Sequence, residues 1–167
     1  MSSRIISVIG GADSDPEILK LAEDIGAEIA KRGVALACGG LMGVMEAACK
    51  GAKNYAGVTI GILPTESKEG ANRYVDYALP TGLGYARNFL VAKAGDAVIA
   101  IDGSAGTLSE IAIAWFSYKP IVAIRPSGGW AEKLAGTKID NRRNDVVHSA
   151  DTPQEALDII FKLLDWN

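Results

Sequence analysis

The stretch IDGSAGTLSE at residues 101–110 sets Gly103, Ser104 and Gly106 ahead of Thr107, with Glu110 three residues further on. Small residues let backbone N–H groups approach an anion closely. A helix that starts there presents its own N-terminal N–H groups and the positive end of its dipole to the same anion. The hydroxyls of Ser104 and Thr107 add donors, and a phosphate is the natural ligand. Glu110 falls one turn inside that helix, on the side that can face the bound molecule, and is the candidate for chemistry upon it. The competing reading is local: Thr107 caps the helix and Glu110 completes a T-x-x-E capping box. The string by itself does not separate the two.

Two further turns share this character. Gly10 and Gly11 close the run IISVIGG, and Gly39, Gly40 and Gly43 follow the run ALAC. Neither turn has the spacing G-x-G-x-x-G, and no G-x-x-x-x-G-K-[ST] occurs, so neither a conventional dinucleotide fingerprint nor a P-loop is expected. Arg87, in TGLGYARN, lies near the start of a helix, an end whose dipole favours anions over cations. It makes sense there facing a phosphate or pairing with a carboxylate such as Glu110. The expected site therefore gathers Arg87 and Glu110 with Gly10, Gly11, Gly39, Gly40, Gly43, Gly103, Ser104, Gly106 and Thr107 around the phosphate. No metal set is expected, because the one histidine, His148, is far along the chain from Cys38 and Cys49. His148 reads as a strand-end residue, and the two cysteines as reduced, buried thiols.

The elements that must position these residues alternate along the chain. Compact apolar runs rich in β-branched residues, at 5–11, 35–40, 58–64, 97–102 and 120–125, read as strands buried on both faces. YVDYALP (74–80) reads as a further strand and DVVHSA (145–150) as an edge strand. Amphipathic stretches at 15–32, 42–54, 84–95, 107–118 and 153–165 read as helices, with a short one after Trp130. Asp15-Pro16 and Thr152-Pro153 are helix-start signals. This alternation predicts a single α/β domain over 1–167, a Rossmann-like three-layer sandwich with a mostly parallel sheet. Ligands of such sheets bind beyond the C-terminal strand ends, where the glycine turns lie.

Composition bounds the partners. The chain has 167 residues, 49% hydrophobic and 22% charged, with 17 basic against 20 acidic side chains and a net charge of −3. A basic nucleic-acid surface is not expected from that balance. No apolar run approaches the roughly 20 residues of a membrane span. With no signal-peptide pattern either, a cytoplasmic address is expected.

Over nearly its whole length the chain resembles the Rossmann-like superfamily that includes the Lonely Guy cytokinin-activating phosphoribohydrolases. It resembles more closely the sister branch that contains the molybdenum-cofactor carrier proteins. The resemblance rests on GGLMGVMEAACKGA (39–52), VTIGILP (58–64), TGLGYARN (81–88) and DGSAGTLSE (102–110). Gly103, Gly106, Thr107 and Glu110 match the signature Pro-Gly-Gly-x-Gly-Thr-x-x-Glu, whereas Asp102 replaces the proline and Ser104 the second glycine. The resemblance implies that Arg87 and Glu110 act on a nucleoside 5′-monophosphate, hydrolysing its N-glycosidic bond. Its alternative implication is a carrier that holds a phosphorylated pterin, the molybdenum cofactor, without turnover. No cofactor is required for the first. The mislabel lysine decarboxylase does not apply, since no pyridoxal-phosphate site is recognisable and Lys93 reads as a surface helix residue. The resemblance also implies a homo-oligomer, at least a dimer, formed through the helices at 84–95 and 107–118. Those helices carry Phe89, Leu90, Val91, Ile111, Ile113, Ala114, Trp115 and Phe116, more apolar surface than one face needs.

Overall fold

The computed structural model describes residues 4–167. Its strands are β1 (Ile5–Gly10), β2 (Ala35–Cys38), β3 (Thr59–Leu63), β4 (Tyr77–Pro80), β5 (Ala97–Ile101), β6 (Ile121–Ile124) and β7 (His148–Ala150). The helices are α1 (Pro16–Lys31), α2 (Val44–Lys53), α3 (Asn88–Ala94), α4 (Ala105–Phe116), α5 (Gly129–Leu134) and α6 (Pro153–Leu163), with short 3₁₀ turns at Gly84–Arg87 and Arg125–Ser127. The strands form one seven-stranded sheet in the order β4-β3-β2-β1-β5-β6-β7. Every pairing is parallel.

Two cores flank the sheet, and the alternation of strand side chains feeds both. Ala97, Ile99 and Ile101 of β5 pack with α1, α2 and α6, whereas Val98 and Ala100 pack with α3, α4 and α5. This double burial is why the central strands read as unbroken apolar runs. The outer strands are shorter than the sequence pattern suggests. In YVDYALP only Tyr77–Pro80 extends, because the Asp76 carboxylate turns back to accept from the Thr59 N–H at 3.0 Å and from Lys53 Nζ at 2.7 Å. β7 starts at His148, whose Nε2 is buried without a partner. Cys38 and Cys49 are both buried free thiols, with Sγ atoms 3.5 Å apart. Lys93 is exposed on α3. Among the described residues no helix is long and apolar enough to cross a membrane.

The tightest packing in the fold lies between α1 and α2. A Cβ on Gly26 would collide with the Ala48 carbonyl oxygen, and one on Gly51 with that of Glu23. Backbone thus meets backbone, and α2 is pressed against α1 with its N-terminus at the sheet edge. Gly51→Ala should therefore destabilise the protein by about 1–3 kcal/mol, because neither backbone can yield to the added methyl. Urea unfolding measures it, and an unchanged midpoint would show that the two helices part freely.

Candidate functional site

Strand order reverses between β1 and β5, since β2 to β4 lie on one side of β1 and β5 to β7 on the other. Loops leaving β1 and β5 therefore diverge and open a crevice at the C-terminal edge of the sheet. The predicted glycine turns all meet there. The Val44 N–H donates to the Gly11 carbonyl at 2.9 Å. A Cβ on Gly43, at φ 68°, would lie 2.5 Å from that same oxygen. Ser14 Oγ donates to Asp102 Oδ2 at 2.6 Å, tying the β1–α1 turn to the β5–α4 turn. A fourth turn closes the cluster: the N–H groups of Trp130 and Ala131 donate to the carbonyls of Gly103 and Asp102 at 3.1 and 3.2 Å.

Helix α4 begins earlier than its sequence pattern predicts. Ser104 is the N-cap, in extended conformation, and makes no side-chain cap hydrogen bond. The first helical bond runs from the Leu108 N–H to the Ser104 carbonyl at 3.0 Å. Thr107 consequently sits at the third helical position, buried against Gly103, and the Thr107–Glu110 capping box does not form. What remains is a helix end with no side-chain cap, lined by exposed Ser104, Ala105 and Gly106. A Cβ on Gly106 would meet only Asn88 Nδ2, at 4.0 Å, so the space before this helix is open. An anion there would face N–H groups that no side chain among the described residues caps.

Arg87 ends the 3₁₀ turn that precedes α3, and its guanidinium crosses the edge of the sheet to the β2–α2 turn. Only 8% of the residue is exposed. Nη1 donates to Asn88 Oδ1 at 2.5 Å and Nη2 to the Gly39 carbonyl at 3.4 Å, while Nε is buried with no partner. Gly39 is what admits the side chain, since a Cβ there would lie 2.6 Å from Nη2. Asn88 in turn donates to Ser109 Oγ at 2.9 Å, which donates to the Gly106 carbonyl at 2.6 Å, linking the arginine to the first turn of α4. Glu110 Oε1 lies 3.9 Å from Nη1, both side chains being nearly enclosed. At that separation the pair is Coulombic without a good hydrogen bond. Burial outweighs it and raises the Glu110 carboxyl to about 7, with the Arg87 charge pulling the other way.

The remaining predicted glycines serve packing. A Cβ on Gly10 would lie 2.6 Å from Val44 Cγ1, and one on Gly40, at φ 74°, 2.7 Å from Leu63 Cδ2. Sequence reasoning missed Ser14, Ser127, Gly128 and Gly129. The signal was present in the pair Gly128-Gly129 following the strand at 120–125, the same pattern already noted after the first two strands. A cavity of about 520 Å³ lies at the opposite edge of the sheet, lined by Arg4, Gly33, Val34 and Val58 among others. It contains none of the groups described above.

The raised Glu110 group has a thermodynamic signature. Its native carboxyl holds a proton that the unfolded chain has released above the ordinary value of 4.5, so its contribution is full below that pH and is lost as pH rises towards 7. Glu110→Gln, uncharged throughout, should lack this loss. The parent should weaken relative to the variant by roughly 2–3 kcal/mol between pH 4.5 and 8. Urea unfolding of both proteins across that range tests it, and parallel stability profiles would place Glu110 in a solvated, unshifted environment.

The chain is similar in sequence and fold to several known proteins. The cytokinin riboside 5′-monophosphate phosphoribohydrolase of Mycobacterium tuberculosis is 34% identical over 121 residues, covering 67% of this chain and 65% of that protein. Among solved structures, the molybdenum cofactor binding protein of the phototrophic bacterium Rippkaea orientalis superposes with a TM-score of 0.87 at 36% identity, covering 98% of this chain and 99% of that one. The molybdenum cofactor carrier protein of Chlamydomonas reinhardtii gives 0.84 at 36% identity, with the same coverage. The SLOG cluster4 family matches residues 3–157, and the chain belongs to that family.

Proposed function

We propose that the protein binds a phosphorylated, nucleotide-type small molecule at the C-terminal edge of the sheet and hydrolyses the N-glycosidic bond of a nucleoside 5′-monophosphate. The observation that carries this reading is the enclosure of Glu110 beside Arg87, one turn inside a helix whose N-terminus is open and uncapped. The N–H groups at the start of α4, with the hydroxyl of Ser104, hold the phosphate, and the Gly11 and Gly43 turns shape the opposite wall. In the reaction, water adds to C1′ of the ribose, the C1′–N bond breaks, and the base leaves with a proton, giving free base and ribose 5-phosphate. With the Glu110 carboxyl raised to about 7, its protonated form is present near neutrality and can supply the proton to the base. Once Glu110 has given its proton to the departing base, its carboxylate stabilises the positive charge on the sugar and takes a proton from the attacking water, which restores the acid. Arg87 holds its charge beside Glu110 and orients it.

A second reading is a carrier that holds a phosphorylated pterin, the molybdenum cofactor, in the same crevice without turnover. The near full-length likeness to the Rippkaea and Chlamydomonas proteins favours it. Incubation with a panel of nucleoside 5′-monophosphates separates the two. The parent should release base, Glu110→Ala should not, and Gly106→Val should lose phosphate binding while keeping the fold, since its side chain enters open space. No base release above background, together with pterin and molybdenum in the gently purified protein, would establish the carrier instead.

The exposed part of the α3–α4 face supports a homodimer. Val91, Ile111, Ala114 and Trp115 are spent on the monomer core, but Phe89, Leu90 and Phe116 remain exposed, as do Leu83 and Tyr85 beside them. Light scattering at micromolar concentration should give at least twice the 17.5 kDa chain mass, and a monomer would overturn this assignment.

A further inference from the structure

Asp102 stands where the resembled signature has proline, and the backbone does not permit a simple exchange. Its φ is 54°, and its N–H donates to Ser127 Oγ at 2.7 Å. Proline is fixed near φ −65° and has no N–H to give. The turn has instead been built around the aspartate side chain. A Cβ on Gly11 would lie 2.7 Å from Oδ2, and one on Gly129 2.6 Å from Oδ1, so glycine on each side makes room for the carboxylate. Oδ2 accepts from Ser14. Among the described residues, no lysine, arginine or histidine forms an ion pair with it, and Oδ1 accepts no hydrogen bond.

An unpaired carboxylate two residues before a phosphate cradle repels the phosphate. Its presence is favourable only if the same ligand brings hydrogen-bond donors to it. In a nucleoside 5′-monophosphate the donors nearest the phosphate are the sugar hydroxyls, whereas the base lies further off. We propose that Asp102 is the specificity residue of this site, its free Oδ1 accepting from the vicinal hydroxyls of a ribose whose phosphate rests on the start of α4. The inference depends on the phosphate reading of that helix end, and it narrows the ligand to pentose phosphates that keep the hydroxyl pair. Ser14 and the two glycines act by positioning: they fix the carboxylate and leave one oxygen open.

Asp102→Asn is the appropriate variant. Asparagine adopts positive φ as readily as aspartate and its side-chain oxygen can still accept from Ser14, but an NH2 donor then replaces the free acceptor Oδ1 and the charge is lost. Asp102→Gly, which suits φ 54° without strain, provides a second variant with the side chain absent. Calorimetric titration compares adenosine 5′-monophosphate, its 2′,3′-dideoxy analogue and inorganic phosphate on the parent and both variants. The parent should prefer the ribonucleotide over the dideoxy analogue by about tenfold or more, the range of a hydrogen bond to a charged group. Both variants should lose that preference while binding inorganic phosphate as well as the parent or better. A preference that survives in Asp102→Asn, or a parent without one, overturns the inference while leaving the phosphate site standing. Equal tightening of both nucleotides in the variant shows simple repulsion and overturns it too. If the parent binds none of the three, the phosphate reading itself fails and takes this inference with it.

Discussion

The strand order of this sheet reverses once, between β1 and β5. Everything polar in the candidate site is placed by that one event. The chain leaving β1 turns towards the α1–α2 layer, and the chain leaving β5 turns towards the α3–α4 layer. Neither loop can cover the gap that opens between them, so the edge above β1 and β5 is concave by construction. Glycine is then required where turns from neighbouring strands press on one another, as at Gly43 against the Gly11 carbonyl. The crevice is a topological product, and its lining is a packing problem that small residues solve.

Within that crevice the electrostatics are unevenly matched. Arg87 is enclosed, but its good hydrogen bonds go to neutral acceptors, Asn88 Oδ1 and the Gly39 carbonyl. Glu110 receives attraction across 3.9 Å and no donated proton, which does not offset the loss of water around a carboxylate buried to this degree. A direct bidentate pair would have pulled the carboxyl below its ordinary range and made it inert. Holding the two apart leaves one group that can change its protonation near neutrality and one cation with an orphaned Nε. Such mismatched pairs are typical of sites that act on a ligand rather than of structural ion pairs. Arg143 offers the contrast within the same protein: it is equally buried, yet it bonds Asp145 and the carbonyls of Trp115 and Lys119.

Much of this was legible in the sequence because it is written in short-range patterns. Doubly buried strands leave apolar runs, and Asp15-Pro16 and Thr152-Pro153 mark helix starts that the structure keeps, Thr152 Oγ1 accepting from the Glu155 N–H at 3.2 Å. The spacing of Gly103, Gly106, Thr107 and Glu110 marked a turn that the structure puts at the C-terminal sheet edge, and Arg87 does approach Glu110 there. What the pattern could not carry was the exact start of α4. Threonine is a good cap by type, but Ser104 reached the extended conformation first, and Thr107 was left to fill space against Gly103. Likewise Val91, Ile111 and Trp115 looked like surplus surface on a helical wheel, whereas the second core absorbs them. Ser14 was invisible because its meaning lies in a contact across more than eighty residues of chain, and the pair Gly128-Gly129 marked a turn without showing that it presses on Asp102.

The left-handed backbone at Asp102 also bears on how such a site changes over generations. A proline codon at this position would meet a turn that cannot accept it, because Ser127 would lose its donor and the dihedral angle lies far from the ring's range. Passage between a proline-bearing loop and this one therefore requires the path of the turn, residue 102 and the Ser127 contact to change together. An intermediate with proline alone loses the left-handed turn and the hydrogen bond to Ser127 together. Residue 102, the path of its turn and the Ser127 contact thus form one unit that no single substitution to proline can exchange.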